Sequence, residues 1–115
     1  MTQRKNVFFA DINVHGTAIE IAEAQYGLSI VRAIDVMPGE TLDPVLLAYA
    51  VENDYVMLTG NFKDFPKIAE QWIAEGKTHS GLLIISKKHI KNPVLIAEWL
   101  ALYKDEDLTN REEWI

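Results

Sequence analysis

Cysteine is absent from the 115 residues, which excludes disulfides and thiolate metal sites. A reducing cytoplasm suits such a chain, and a cytoplasmic protein is the expectation. No run approaches the ~18 apolar residues that a membrane span requires, so no membrane partner is expected. The start, Met1-Thr2-Gln3-Arg4-Lys5, meets an apolar run of only four residues and does not read as a secretory signal. Histidine is scarce, and His15, His79 and His89 lack zinc-type spacing. Repeats, low-complexity tracts and linkers are missing too. With 49% hydrophobic residues, the chain reads as a single domain over 1–115 with one real core.

Net charge is −6, which argues against wholesale attraction to nucleic acid. Its distribution says more. Between residues 63 and 91, Lys63, Lys67, Lys77, Lys87, Lys88 and Lys91 face only Asp64, Glu70 and Glu75, a local surplus of +3. Between residues 98 and 115, Glu98, Asp105, Glu106, Asp107, Glu112 and Glu113 outweigh Lys104 and Arg111, leaving −4. A basic face beside an acidic tail either admits a phosphate backbone or is a set of ordinary solvated lysines.

Apolar runs alternate with helical stretches. Val7–Ala10, Leu28–Val31, Tyr55–Leu58 and Gly81–Ile85 read as strands, and the third is apolar enough to be buried on both faces. Helices are expected over 16–26 with Ile19, Ala22 and Tyr26 inward, from Asp43-Pro44 onward, over 65–75 with Phe65, Ile68, Ala69 and Trp72 inward, and after Asn92-Pro93 with Leu95, Trp99 and Leu102 inward. The alternation predicts an α/β fold: a four-stranded, mainly parallel sheet in a three-layer α/β/α domain, with right-handed crossovers. Segment 104–115 is either a short docked helix or a loose tail. Surplus apolar surface on 45–51 and 93–103, with Trp114 and Ile115, predicts a homodimer.

In parallel sheets, ligands bind beyond the carboxyl ends of the strands. Asp11 falls there after the first strand, and Thr59, Asn61 and Asp64 fall there after the third. Arg32 ends the second strand on the same edge, placed to contact a phosphate or to pair with an aspartate; Lys63 is a second candidate phosphate contact. A plainer account exists for each acid: Thr59 and Asn61 make a turn, Asp64 caps the next helix, and Asp43 caps the helix that Pro44 begins. His79, just before the fourth strand, is expected at the opposite end of the sheet in a structural role.

Four stretches in order carry a resemblance. Phe9-Ala10-Asp11-Ile12-Asn13, Asp43-Pro44-Val45-Leu46-Leu47-Ala48-Tyr49-Ala50, Leu58-Thr59-Gly60-Asn61-Phe62-Lys63-Asp64-Phe65, and Trp72 to Gly76 followed by His79-Ser80-Gly81-Leu82-Leu83-Ile84 are similar to motifs of the PIN-like proteins, a bacterial family of unknown function related to PIN-domain toxin nucleases. The resemblance implies a PIN-like fold and a metal-dependent ribonuclease, the toxin half of a toxin–antitoxin pair. Carried over by position, Asp11, Asp43 and Asp64 would hold Mg²⁺ or Mn²⁺ and act catalytically, with Thr59 and Asn61 as polar companions; RNA and an antitoxin protein would be partners. Two acids of the pattern are replaced, by Ile12 and Pro44. The alternative is a degenerate PIN-like module that binds RNA or a protein without cleavage. A phosphoacceptor signalling domain shares the alternation, but no strand after 81–85 supplies the usual late lysine.

Overall fold

Strands in the middle of a covered sheet must be apolar on both faces, and three segments meet that demand: β1 (Val7–Ala10), β3 (Val56–Thr59) and β4 (Leu82–Ile84). The computed structural model describes residues 5–115; residues 1–4, and with them the reading of the amino terminus, lie outside it. The other elements are α1 (Gly16–Tyr26), β2 (Ser29–Arg32), α2 (Ala33–Val36), α3 (Asp43–Glu52), α4 (Phe65–Ala74), α5 (Pro93–Tyr103) and β5 (Glu112–Trp114). The strands form one all-parallel sheet in the order β2-β1-β3-β4-β5.

Side chains alternate across the sheet. Phe8, Ala10, Val56, Leu58 and Leu83 pack toward α1 and α5, whereas Phe9, Met57, Leu82 and Ile84 pack toward α3 and α4. Helices therefore flank both faces, as the α/β reading expects.

The sheet has five strands, not four. Segment 104–115 is neither a docked helix nor a loose tail. Leu108 is fully buried, Glu112–Trp114 pairs with β4, and the Ile115 N–H donates to the Ile84 carbonyl at 2.8 Å. A three-residue strand with two glutamates carries no apolar run to announce it. Two inward faces also differ from expectation. On α5 the buried residues are Ile96, Ala97 and Leu100, and Leu102 is exposed. Because α5 is apolar almost all round, periodicity could not choose its face. Tyr26 likewise sits at the surface of α1.

The connections are not all of one hand. β1→β2 and β4→β5 step in opposite directions along the sheet, yet both pass over the face that α1 and α5 share. They are therefore of opposite hand. β2→β3 and β3→β4 cross the other face and match the first, so β4→β5 alone differs in hand from the other three, and the expectation of uniform crossovers fails there. The reason lies in coverage: α3 and α4 already fill one face, and α5 lies against α1 to close the other.

At the sheet's amino-terminal edge, Asn6 ties the start of β1 to the end of α5. Its side-chain amide donates to the carbonyls of Tyr103 (2.7 Å) and Glu106 (2.8 Å), and its backbone N–H to that of Lys104 (2.8 Å). His79 lies at this edge too, buried before β4. Its Nδ1 accepts from the Gly81 N–H, and its own N–H donates to Asn110 Oδ1. Burial lowers its pKa, opposed by the charge of Glu112. It acts as a structural pin, as expected.

Candidate functional site

The chain leaves β1 toward β2 on one side and returns to β3 on the other, so the carboxyl ends of β1 and β3 border the crevice where such sheets bind ligands. Asp11 continues β1 into this crevice, its N–H bonded to the Leu58 carbonyl at 2.9 Å. Its carboxylate is buried and held from two sides: Thr59 Oγ1 donates to Oδ2 at 2.9 Å and the Ile12 N–H donates to Oδ1 at 2.8 Å. Thr59 Oγ1 also accepts the Asn61 N–H at 3.0 Å, and Asn13 Oδ1 accepts the Gly60 N–H at 2.9 Å. These bonds lock the loop after β1 to the loop after β3.

The plainer account of Asp43 and Asp64 fails on geometry. Leu42, not Asp43, occupies the N-cap of α3, and no side chain caps that helix. Asp64 does stand at the N-cap of α4, but its carboxylate makes no capping bond. Both carboxylates turn instead to Asn61, whose Nδ2 donates to Asp43 Oδ2 at 2.9 Å and to Asp64 Oδ2 at 3.1 Å, while its Oδ1 accepts the Asp64 N–H at 3.2 Å. The three aspartates thus gather around neutral donors, with no lysine or arginine bonded to them among the described residues.

That arrangement leaves an electrostatic mark. Burial raises the pKa of Asp43 above its ordinary value, and the charges of Asp11 and Asp64 raise it further, against the lowering bond from Asn61. A raised carboxyl pKa is a stability term that is present at acid pH and lost as pH rises through the folded-state value. Asp43→Asn is therefore expected to melt above wild type at pH 7 in EDTA. The gain should vanish once pH falls below about 3.8, the ordinary value. Parallel melting curves across the pH range would show that Asp43 feels no such repulsion.

A pocket of about 160 Å³ opens over Asp11, Asn13, Asp43 and Asn61. Its far wall comes from the stretch containing α2, with Ile34, Pro38, Gly39 and Thr41, and Ile12 is 61% exposed at its border. Sequence reasoning passed over Asn13, although it stands two residues from Asp11 in the same quoted stretch. It could not find the α2 wall, because a four-residue helix has no periodicity. Arg32 lies level with Ala10 in the neighbouring strand and lines an adjoining hollow with Asp11 and Gly16. Its side chain pairs with no aspartate, and neither that side chain nor that of Lys63 has a hydrogen bond or ion pair among the described residues.

Carboxylate, amide and hydroxyl oxygens suit a hard divalent cation such as Mg²⁺ or Mn²⁺. Among the described residues, however, no three His, Cys, Asp or Glu side chains are arranged as a ready ligand set. The Asn61 amide donates to both Asp43 and Asp64, the carboxylates that would hold such an ion with Asp11. The donor chemistry fits the ion, and the Asn61 side chain would have to yield to it. No described helix is long and apolar enough to cross a membrane. In comparisons with family models, curated proteins and solved structures, the chain matches none.

Proposed function

We propose that this protein is a metal-dependent ribonuclease of PIN-like type. The observation that carries the reading is the convergence of Asp11, Asp43 and Asp64 at the switch point of the sheet, with neither helix-initiating aspartate engaged in capping. Like charges gathered around neutral donors alone cost stability, and such arrangements concentrate at functional sites. The five-stranded parallel sheet between two sets of helices is compatible with a PIN-like domain.

In this reading Asp11, Asp43 and Asp64 hold Mg²⁺ or Mn²⁺. When bound, the ion would lower the pKa of a water ligand and offset charge on a phosphodiester under in-line attack. The chain's own residues do the positioning. Thr59 and the Ile12 amide fix the Asp11 carboxylate, Asn61 sets the spacing of Asp43 and Asp64, and Arg32 and Lys63 contact substrate phosphates. Incubation of purified protein with RNA in Mn²⁺ or in EDTA is the test: cleavage in Mn²⁺ alone supports the reading, and intact RNA in both removes it.

A second reading has a specific observation behind it. Ile12 puts an exposed aliphatic chain beside the pocket where the resembled pattern has an acid, and no ready three-ligand set exists among the described residues. A degenerate module that binds RNA or a protein without cleaving it would show metal-independent binding only. The signalling alternative gains nothing from β5, which supplies Glu112, Glu113 and Trp114 but no lysine.

Toxin activity restrained by an antitoxin protein, in a reducing cytoplasm, completes the proposal. A homodimer belongs to it as well. Val94 and Leu102 lie 55% and 67% exposed on α5, and Leu42 and Val45 are exposed at the start of α3. Light scattering at tens of micromolar is expected to give twice the 13.1 kDa chain mass, and Leu102→Glu to return it toward one. A monomer mass for wild type would discard the dimer.

A further inference from the structure

From Gly76 to Ala97 the chain has no acidic residue, although acids outnumber bases 17 to 11 overall. The middle of that stretch is the β4–α5 loop, residues 86–92. It leaves β4 at the same edge as Asp11 and Thr59, since Ile84 is in register with Thr59 and the Ile85 N–H donates to the Thr59 carbonyl at 2.8 Å. The loop is well braced. Its backbone closes two successive turns, His89 N–H to Ser86 carbonyl and Asn92 N–H to His89 carbonyl, both 2.9 Å. Ser86 Oγ lies 3.2 Å from His89 Nδ1, and Asn92 Oδ1 caps α5 through the Leu95 N–H. Ile90 fastens it to the loop after β3 so closely that a Cβ on Gly60 would collide with the Ile90 side chain.

This rigid loop holds out Lys87, Lys88 and Lys91, all exposed and none with an ion pair among the described residues. Read along the carboxyl edge in spatial order, the charges are Arg32 after β2, Asp11 after β1, Asp64 beyond β3, then the three lysines beyond β4. Cations flank the acids on both sides across three strand spacings, about 14 Å. Phe62, 38% exposed in the loop between, offers a ring face on which a base can stack.

We propose that the β4–α5 loop is the docking surface for a single-stranded nucleic-acid backbone, which crosses the carboxyl edge from Lys87, Lys88 and Lys91 over the aspartates toward Arg32. The proposal rests on the reading of the aspartates as the cleavage centre only for where the strand leads. Lysines that contact phosphates release counterions, so affinity falls with salt by about 0.7 log units per contact for single strands.

The test is fluorescence anisotropy with labelled twelve-nucleotide oligouridylate and oligothymidylate, in EDTA, from 50 to 200 mM NaCl. The variants are K87Q/K88Q/K91Q and, with equal charge removed elsewhere, K5Q/K77Q/K104Q. Wild type is expected to bind both probes alike, because phosphates are what the lysines read. The loop variant should bind more weakly by about a hundredfold or more at 50 mM NaCl, with a log–log salt slope shallower by about 2. The matched control should keep the wild-type slope. Equal slopes in the two variants, loop-variant binding like wild type, or no wild-type binding at 50 mM NaCl would each overturn the proposal. Binding as expected without cleavage in Mn²⁺ would leave the docking surface standing and remove the nuclease.

Discussion

Saturating Mn²⁺ is expected to raise the melting temperature of wild-type protein by about 10 °C. An ion that binds only the folded state at a hundred times its dissociation constant adds about 2.7 kcal/mol, and in a chain of this size each kcal/mol is worth roughly 4 °C or more. The structure gives this gain a source, because the ion would relieve repulsion among Asp11, Asp43 and Asp64 that the Asn61 amide only softens. Asp11→Asn and Asp64→Asn should each lose most of the shift. Neither should unfold the protein: an asparagine at 11 can still accept from the Ile12 amide through its one oxygen and turn its Nδ2 to donate to Thr59 Oγ1, and Asp64 makes no capping bond to lose. RNA cleavage should fall by about a hundredfold or more in Asp11→Asn, the scale on which several kcal/mol of metal-borne stabilisation acts. Coincident wild-type melting curves with and without Mn²⁺ would remove the metal, and any cleavage would then need another cause.

The largest loss of stability is expected far from that centre, at Gly81. Its φ is +127°, a conformation that side chains rarely adopt, and a Cβ there would stand 2.6 Å from Leu108 Cβ and 3.0 Å from the Leu108 carbonyl oxygen. Backbone strain and overpacking both apply, so Gly81→Ala should cost about 3 kcal/mol or more. Gly27→Ala separates the two effects. Gly27 has φ +65° with open space around its Cβ position, so about 1 kcal/mol is the expectation there. Chemical denaturation of both variants measures the difference. Equal losses would mean that the Leu108 segment moves aside at little cost.

Most of the sheet was legible because its central strands are apolar runs, and Asp11 and Asp64 were legible because strand ends can be read once strands can. That β1 and β3 are neighbours was not, since nothing local encodes which strands pair across a crossover. Asp43 shows a different limit. Asp-Pro before an apolar stretch is a sound helix-start signal, and the helix does start there, but the pattern does not say whether the carboxylate folds back onto the backbone or turns away to Asn61. β5 escaped because its pairing depends on Leu108 and Ile115 entering a core built mostly by residues long before them. On α5, an almost uniformly apolar surface left two faces equally eligible, and coverage of the sheet selected the one with Ile96 and Leu100.

The Asn6 bonds to Tyr103, Lys104 and Glu106 bear on how the molecule comes into being. A ribosome adds roughly 5–20 residues per second, so the amide of Asn6 waits on the order of 5–20 s before its acceptors are made. Until then the Tyr103 and Glu106 carbonyls that this side-chain amide binds do not exist, and water takes their place. Asp11, Asp43 and Asp64 emerge well before that moment, but the strand that presents Asp11 is not yet tied to the end of α5. A nascent chain stalled short of Tyr103 would carry Asp11, Asp43 and Asp64 without the bonds from Asn6 to the end of α5, and its β1 should be more open to proteolysis than in the full chain.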